Sequence, residues 1–339
     1  MKKYIYLLLF GNIISNALQA QYYDTLYIKD LKNRIMVSYF QEYKTFELNI
    51  IPNGSIDSTG REDLKLKSDA TLYTGFGLQF KNLSVTLAST LPQTDSSKIK
   101  FGNQSSRNLG FSYQKNGWAL AGTYITQNGF YDENFQKHEF AQQENLNSFA
   151  RFNNMQATWI RIDARYYPEY KKFAIGLPSN FGVKQIKSKF SWAYRASVNY
   201  MKYNQKDRKA LFDQPLQAKD EQFGVFAGEY YGFNFSVSPS FYLADKEGWF
   251  LYGDVWLGGD FGKNTLENAT KKNVVWQYAI VVPETKVMMG YQGDRFVGIL
   301  HYSFVNQSFN NSKMTNSVYY HTFSLILGYR FYAPVRLLY

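Results

Sequence analysis

The feature that most constrains the fold is a strict alternation of apolar and polar residues, which recurs along the chain with the period of a β-strand. The even positions from Ile160 to Tyr166 are apolar, whereas Arg161, Asp163 and Arg165 alternate with them. Residues 190–200 repeat the pattern, with rings and aliphatic side chains opposite serine, arginine and asparagine. Because successive side chains of a strand point to opposite faces, these segments are predicted to be strands with one apolar and one polar face. No helix of consequence is predicted.

The pattern predicts about twelve strands, joined by links of two kinds. The strands are predicted to start near residues 34, 70, 83, 106, 117, 155, 187, 223, 248, 284, 295 and 318. Alternate links are short, at 81–82, 114–117, 245–248 and 292–294. The others are long and polar, at 50–69, 92–105, 127–154, 204–222, 261–283 and 306–317. The strands are therefore joined by short turns at one end of the sheet and by long loops at the other, which is typical of outer-membrane barrels.

One link departs from this rule, because residues 168–186 fall at the tight end and yet form a long connection. It is predicted to be either a strand extension or a plug-like excursion. Periodicity alone leaves two folds open. A soluble β-sandwich buries its apolar face, whereas a membrane barrel turns that face to lipid and its charges to the lumen.

Link lengths and aromatic content favour the barrel. The 339 residues include 29 Tyr, 28 Phe and 6 Trp, yet mean hydropathy is only −0.40. Such rings favour the membrane–water interface, because each tyrosine and tryptophan has an apolar body and a polar tip. We therefore predict an all-β fold: a single antiparallel transmembrane barrel of about 12 strands, spanning residues 34–332.

The N-terminus predicts the compartment. Lys2 and Lys3 precede an almost wholly apolar stretch over 4–14, and small residues follow up to Ala20. This is the pattern of a secretory signal peptide over 1–20, since the apolar stretch is too short for the alternative of a membrane anchor. Its removal takes two lysines and lowers the formal charge from +11 to +9. We expect a short periplasmic segment at 21–33, a tail at 333–339 and a location in the bacterial outer membrane.

Several short motifs are similar to those of an uncharacterised family of Bacteroidetes outer-membrane proteins, the domain of unknown function numbered 4421. They are the end of the signal peptide at Ala20-Gln21, the 72–80 strand with Gly75 and Gly77, Gly129-Phe130-Tyr131, Lys189-Phe190-Ser191 with Ala193 and Ala196, and 328–331. The resemblance covers roughly residues 30–332. It implies an outer-membrane barrel and supplies no assigned activity. The chain departs from a usual barrel end by continuing through 333–339.

Composition excludes several classes of chemistry. The chain has no cysteine, which removes disulfides, thiol nucleophiles and cysteine metal sites. Its three histidines are His138, His301 and His321, so we predict no metal site and no cofactor. The positive charge is scattered over an exported chain, which argues against nucleic acid as a partner. The expected partners are outer-membrane lipid, lipopolysaccharide and the barrel-assembly machinery; no oligomeric state is predicted.

A set of charged residues on the polar faces is predicted to point into the lumen. The set is Arg161, Asp163, Arg165, Lys189, Arg195, Asp254 and Arg330. One hypothesis is a polar channel that selects anionic solutes through its basic excess. The alternative is a salt-bridged filling of side chains without conductance, since twelve strands enclose a narrow lumen.

A weaker signal for catalysis is the pair His301 and Ser303, which share a strand face so that the imidazole could activate the hydroxyl. Asn306 and Glu284 are the candidate orienting groups, and the reaction would be that of an outer-membrane lipid hydrolase. The simpler interpretation is a structural histidine. The sequence as a whole favours a non-enzymatic barrel, either structural or a small porin-like channel, with lipid hydrolysis as the alternative.

Overall fold

The computed structural model describes residues 23–52, 64–134, 149–175, 181–206, 225–268, 272–280, 283–310 and 314–333. The predicted signal peptide and all of the predicted tail except Ala333 lie outside these ranges. The strands within them are β1 Ile28–Asp30, β2 Arg34–Pro52, β3 Leu64–Lys67, β4 Leu72–Phe80, β5 Leu83–Thr90, β6 Ser105–Lys115, β7 Trp118–Asp132, β8 Ala150–Tyr166, β9 Val183–Gln185, β10 Lys189–Gln205, β11 Val225–Ala244, β12 Trp249–Asn268, β13 Lys272–Ile280, β14 Glu284–Gln292, β15 Phe296–Asn310 and β16 Met314–Tyr332.

Twelve of these strands form one closed antiparallel barrel. In order around the wall they are β2, β4, β5, β6, β7, β8, β10, β11, β12, β14, β15 and β16. The last strand pairs with the first, from Met314 opposite Pro52 to Tyr332 opposite Arg34. The predicted fold and strand number are confirmed, and each predicted start lies within five residues of an observed one.

Turns of two to four residues define what we call the tight-turn end of the barrel. Asn116 and Gly117 join β6 to β7 with φ angles of 49° and 86°. Both angles lie in the left-handed region that the mirror-image hairpin turns require, and Asn-Gly is the dipeptide that adopts them most readily. The opposite end, the long-loop end, carries β3 against β2 and β7, and β13 against β12.

One short helix lies at the long-loop end, where the sequence predicts no helix of consequence. Helix α1 spans Asp95–Phe101. Thr94 caps it, since its hydroxyl accepts a hydrogen bond from the Ser97 amide at 3.3 Å, and Gly102 ends it with a φ of 83°. Caps stabilise a short helix that has no apolar period to reveal it. Across the described ranges, no helix is long and apolar enough to cross a membrane.

The wall is apolar outside and polar inside, as the alternation predicts. On β4, Phe76 is 63% exposed, whereas Gly75 and Gln79 face inward and are buried. Gly75 has no side chain for a steric reason: a Cβ there would lie 2.4 Å from the inward ring of Phe40. The same division on β10 leaves Trp192 half exposed and Arg195 buried. The modest mean hydropathy is thus the sum of two opposite surfaces.

Two apolar layers lie across the lumen. The plug layer, at the tight-turn end, consists of Ile28, Met36, Ala119, Tyr167, Phe173, Ala174, Ile175, Val183, Ala193, Tyr242, Phe250, Tyr252, Trp256, Met288, Val297 and Ile299. The outer layer, at the long-loop end, consists of Phe46, Leu48, Leu66, Ile125, Phe130, Met155, Ala157, Trp159, Met201, Tyr203, Tyr230, Val318 and Tyr320.

Part of the plug layer comes from outside the wall, from what we call the plug: residues 23–33 together with the described parts of 167–188. β1 and β9 of the plug pair with each other as a separate two-stranded sheet. Phe173 is fully buried against Tyr242 and Tyr252, with ring centroids 6.2 Å away in each case. Of the two structures predicted for the 168–186 link, the plug-like excursion is the one observed.

Candidate functional site

A charged chamber of about 240 Å³ lies in the lumen between the two layers. Trp256 of the plug layer borders it on one side, and Trp159 and Tyr320 of the outer layer on the other. These last two rings meet edge to face, with centroids 5.8 Å apart. Nine barrel strands contribute lining residues. Its charged side chains, among the described residues, are Glu42, Lys44, Arg161, Asp163, Arg165, Arg195, Asp254, Glu284 and Lys286.

Five of these charges form one hydrogen-bonded chain. Glu284 accepts from Arg161 Nη1 at 2.7 Å and Nη2 at 3.0 Å, and from Arg195 Nη1 at 2.6 Å. Asp163 accepts from Arg161 Nε at 2.7 Å and from Arg165 Nη2 at 2.8 Å. The order along the chain is therefore Arg165, Asp163, Arg161, Glu284, Arg195. Two carboxylates join three guanidinium groups. These five side chains, which we call the charged chain, therefore carry one net positive charge and have a cation at each end.

The two end cations lie next to each other. Arg165 and Arg195 are direct cross-strand partners on β8 and β10. Their guanidinium carbons lie 5.5 Å and 4.6 Å from the centroid of the Trp256 ring. A tryptophan face attracts a guanidinium group, and this attraction places both groups on the same ring.

Of the seven residues predicted to point into the lumen, the structure brings five to the chamber: Arg161, Asp163, Arg165, Arg195 and Asp254. Asp254 accepts a 2.6 Å hydrogen bond from Tyr252 and lies opposite Lys286 in the sheet register. The other two lie at the tight-turn end. Lys189 pairs with Glu169 at 3.1 Å, and Arg330 donates to the Phe181 carbonyl of the plug at 3.0 Å.

The structure does not assemble the predicted catalytic pair. His301 and Ser303 both line the chamber, but the described hydrogen bond of His301 runs from Nδ1 to Ser324 Oγ at 3.3 Å. Ser324 in turn donates to Glu42 Oε1 at 3.1 Å. A hydroxyl has one proton, so the imidazole is the donor to Ser324 and does not act as its base.

The two predicted orienting groups are also engaged elsewhere. Both oxygens of Glu284 accept from arginine, as described above. Asn306 is five positions from His301 on β15, an odd separation that puts it on the opposite face of the wall. The pair moreover faces the lumen, whereas a hydrolase of membrane lipid needs contact with the outer surface.

Among the lining residues that sequence reasoning did not single out are three charged groups, Glu42, Lys44 and Lys286, and the ring of Trp256. The signal that could have found them is the same alternation. Glu42 and Lys44 stand two apart on β2, as Glu284 and Lys286 do on β14, so each pair shares the inward face. Trp256 likewise stands two residues from Asp254 on β12, although its residue type gives no signal, because a tryptophan is equally at home on the outer face.

A closed antiparallel wall with an apolar exterior and a charged interior defines the class of outer-membrane β-barrels. Within that class the chain belongs to the family described as "Domain of unknown function (DUF4421)", which matches residues 22–331. No curated protein matches the chain.

Solved structures similar to the chain are barrels of varied function. The outer membrane protease OmpT from Escherichia coli is 9% identical with a TM-score of 0.36, covering 89% of this chain and 98% of its own. An outer membrane channel from Pseudomonas putida F1 is 12% identical with a TM-score of 0.35, covering 88% and 95%. The β domain of the Bordetella autotransporter BrkA is 9% identical with a TM-score of 0.35, covering 87% and 98%.

Proposed function

We propose that this protein is a non-enzymatic outer-membrane barrel that acts as a narrow, plug-gated channel for small polar and anionic solutes. The observation that carries the proposal is the charged chamber at mid-height of the barrel. Ionisable side chains at membrane depth are costly, and they are usually found along the paths of ions and solutes. An excess of cations in such a path favours anions.

The plug supports gating, because none of its residues belongs to a wall strand. It is attached to the wall and its turns by individual polar contacts and not by a strand ladder, among them those of Arg330 with Phe181 and of Lys189 with Glu169. Gln79 Oε1 accepts from the Phe181 amide at 2.8 Å, and Gln292 Nε2 donates to the Val183 carbonyl at 2.7 Å. Lys29 pairs with Asp294 at 2.7 Å. The plug could therefore move without breaking a barrel ladder, and the described arrangement would be the closed form.

The test is conductance in planar bilayers. The wild-type barrel is compared with the double variant Gln79→Ala/Gln292→Ala, which loses two plug attachments. The control is Gln127→Ala, which removes a buried amide at the other end, where Gln127 Nε2 donates to Ser68 Oγ at 2.7 Å. We expect rare stepwise openings of the wild type, frequent openings of the double variant, and a reversal potential in a KCl gradient that indicates anion preference.

The second candidate is a purely structural barrel, and the two apolar layers across the lumen favour it. If neither the wild type nor the double variant conducts, although both are folded, the channel proposal is contradicted and the structural role remains. Conductance without anion preference would contradict the solute class but not the channel.

The location is proposed on the same grounds. A signal peptide over 1–20 would export the chain, the assembly machinery would insert it, and lipid and lipopolysaccharide would cover the apolar exterior. A folded barrel resists SDS, so unboiled protein should migrate faster in electrophoresis than boiled protein. Identical migration, together with solubility in water, would contradict a membrane location.

A further inference from the structure

The ends of the charged chain leave an unusual arrangement in the chamber wall. Arg165 and Arg195 face each other across β8 and β10, both are buried, and both lie against Trp256. Like charges directly opposite each other in a sheet are destabilising. The carboxylates of the chain, Asp163 and Glu284, each engage one of the two residues, and neither joins them directly.

Three donor groups of this pair have no hydrogen-bond partner in the protein: Nε and Nη1 of Arg165, and Nη2 of Arg195. Arg161, between the two carboxylates, is by contrast bonded through Nε, Nη1 and Nη2. A buried donor without an acceptor costs about 1–3 kcal/mol, and more when the group is charged. Within the charged chain of five residues, the unused hydrogen-bonding capacity is therefore concentrated at the two adjacent ends.

We propose that a small oxyanion, a carboxylate or phosphate, binds between Arg165 and Arg195 with Trp256 at its side. The planar guanidinium fork matches the oxygen spacing of carboxylate and phosphate groups. One oxyanion would accept from both ends, reduce the repulsion between them and close the charged chain into a ring.

The chamber limits the size of the ligand. About 240 Å³ corresponds to roughly eight water molecules at ~30 Å³ each, so inorganic phosphate or a short dicarboxylate fits. Asp254, which also borders the chamber, would repel a second anionic group placed near it. These features specify a single small anion.

The site goes beyond the proposed channel, because a closed barrel could bind the anion whether or not it conducts. Binding is therefore tested on wild-type protein refolded in detergent in the presence of each anion, so that entry does not depend on plug movement. Sodium phosphate, sodium succinate and sodium chloride are compared at equal ionic strength. The readouts are the unfolding temperature and, after removal of free anion, the amount of anion retained.

The variants are Arg165→Gln and Arg195→Gln, with Lys189→Gln as the control. Lys189 is on the same strand as Arg195 but pairs with Glu169 outside the chamber. We expect phosphate or succinate to raise the unfolding temperature of wild type and Lys189→Gln above the chloride value. Binding should weaken about tenfold or more in each arginine variant, since a charge-assisted bond is lost.

Stabilisation by phosphate alone would identify a phosphate-type site, and by succinate alone a carboxylate site. If the wild-type barrel has the same unfolding temperature in all three anions and retains none of them, the proposal is overturned. This outcome does not depend on whether any variant folds. Unchanged binding in both arginine variants would overturn the assignment to these residues. Conductance of the same preparations is scored separately, so that the channel and the site can fail independently.

Discussion

The two apolar layers that bound the chamber differ in how they are attached to the barrel. The outer layer is made of side chains on wall strands and on β3, which is itself paired to β2 and β7. The plug layer also contains wall side chains, but its central residues, Phe173 to Ile175 and Val183, come from a segment that pairs with no wall strand. One layer is part of the barrel, and the other is packed into it.

This difference implies that the two layers are lost in different ways. Removal of the outer layer requires strand ladders to separate, whereas removal of the plug requires the loss of packing and of individual polar contacts but of no ladder between the plug and the wall. Local opening of a part that is not shared with the global fold has its own, smaller free energy. The comparison therefore predicts a barrel that can open at the tight-turn end while its wall remains folded.

The largest expected effect comes from a matched pair of truncations, Phe173→Ala in the plug layer and Phe130→Ala in the outer layer. Both side chains are fully buried, and each deletion should cost about 3–5 kcal/mol. Phe173→Ala should release the plug, with frequent channel openings and protease cleavage within 167–175. Phe130→Ala should lower the unfolding temperature of the whole barrel without opening it. Equal conductance of the two variants would contradict the difference between the layers.

Glu284→Gln tests whether the chamber belongs to the wall or to the plug. The substitution keeps the shape but leaves Arg161 and Arg195 without their shared carboxylate, at a cost of about 3 kcal/mol. Because both arginines stand on wall strands, the loss should appear as a lower unfolding temperature of the barrel, with protease resistance of the plug unchanged. The control is Glu47→Gln, whose partners Lys65 and Lys67 lie at the long-loop end, away from both the chamber and the plug. Plug cleavage in Glu284→Gln would show that the chamber holds the plug.

A smaller effect is expected from the exposed pair that joins the plug to the 293–295 turn. The hydrogen bond from Lys29 lowers the pKa of Asp294, so the carboxylate stays charged at neutral pH and is protonated only below its ordinary range. The pair should contribute above the unfolded-state value of about 4 and be lost as pH falls through the lowered pKa. The contribution should not exceed about 1 kcal/mol, because both side chains are nearly half exposed.

The measurement is the frequency of openings at pH 7 and pH 3. Acid should raise the frequency in the wild type by a few fold at most, while Asp294→Asn should start at the higher frequency and change less. An acid response of equal size in the two proteins would show that another group controls the plug.

The smallest effect is expected from His301→Ala. The imidazole donates to Ser324 and faces the chamber, so its removal should leave the lipid composition of the outer membrane unchanged. Membrane lipids would be compared by mass spectrometry in cells carrying the wild type and the variant. A consistent loss of a deacylated lipid in the variant would restore the hydrolase hypothesis.

The wall could be predicted from the sequence because each strand has one face toward the apolar exterior and one toward the polar lumen. Apolar and polar residues therefore alternate with a period of two. Segments 160–166 and 190–200 show it most clearly, and their charged faces do lie inside. The turn between β6 and β7 is determined just as locally, by the dipeptide Asn116-Gly117. These features depend on neighbours in the chain, so one sequence is enough to find them.

The plug and the chamber could not be predicted with the same success, because they depend on contacts between distant residues. Phe173 to Ile175 have no period and sit in what reads as a link. The approach of Arg165 to Arg195 depends on the register of β8 against β10, and a one-residue slip would turn one of them to the outside. His301 and Ser303 share a face as predicted, but hydrogen-bond direction is determined by Glu42, which is far away in the sequence.

The position of the plug in the chain has a consequence for assembly. β1 precedes the first wall strand, β9 lies between two wall strands, and the ring closes only when β16 pairs with β2 along its whole length. The seam between β2 and β16 contains no plug residue, so the closing of the ring and the packing of the plug are two separate steps of assembly.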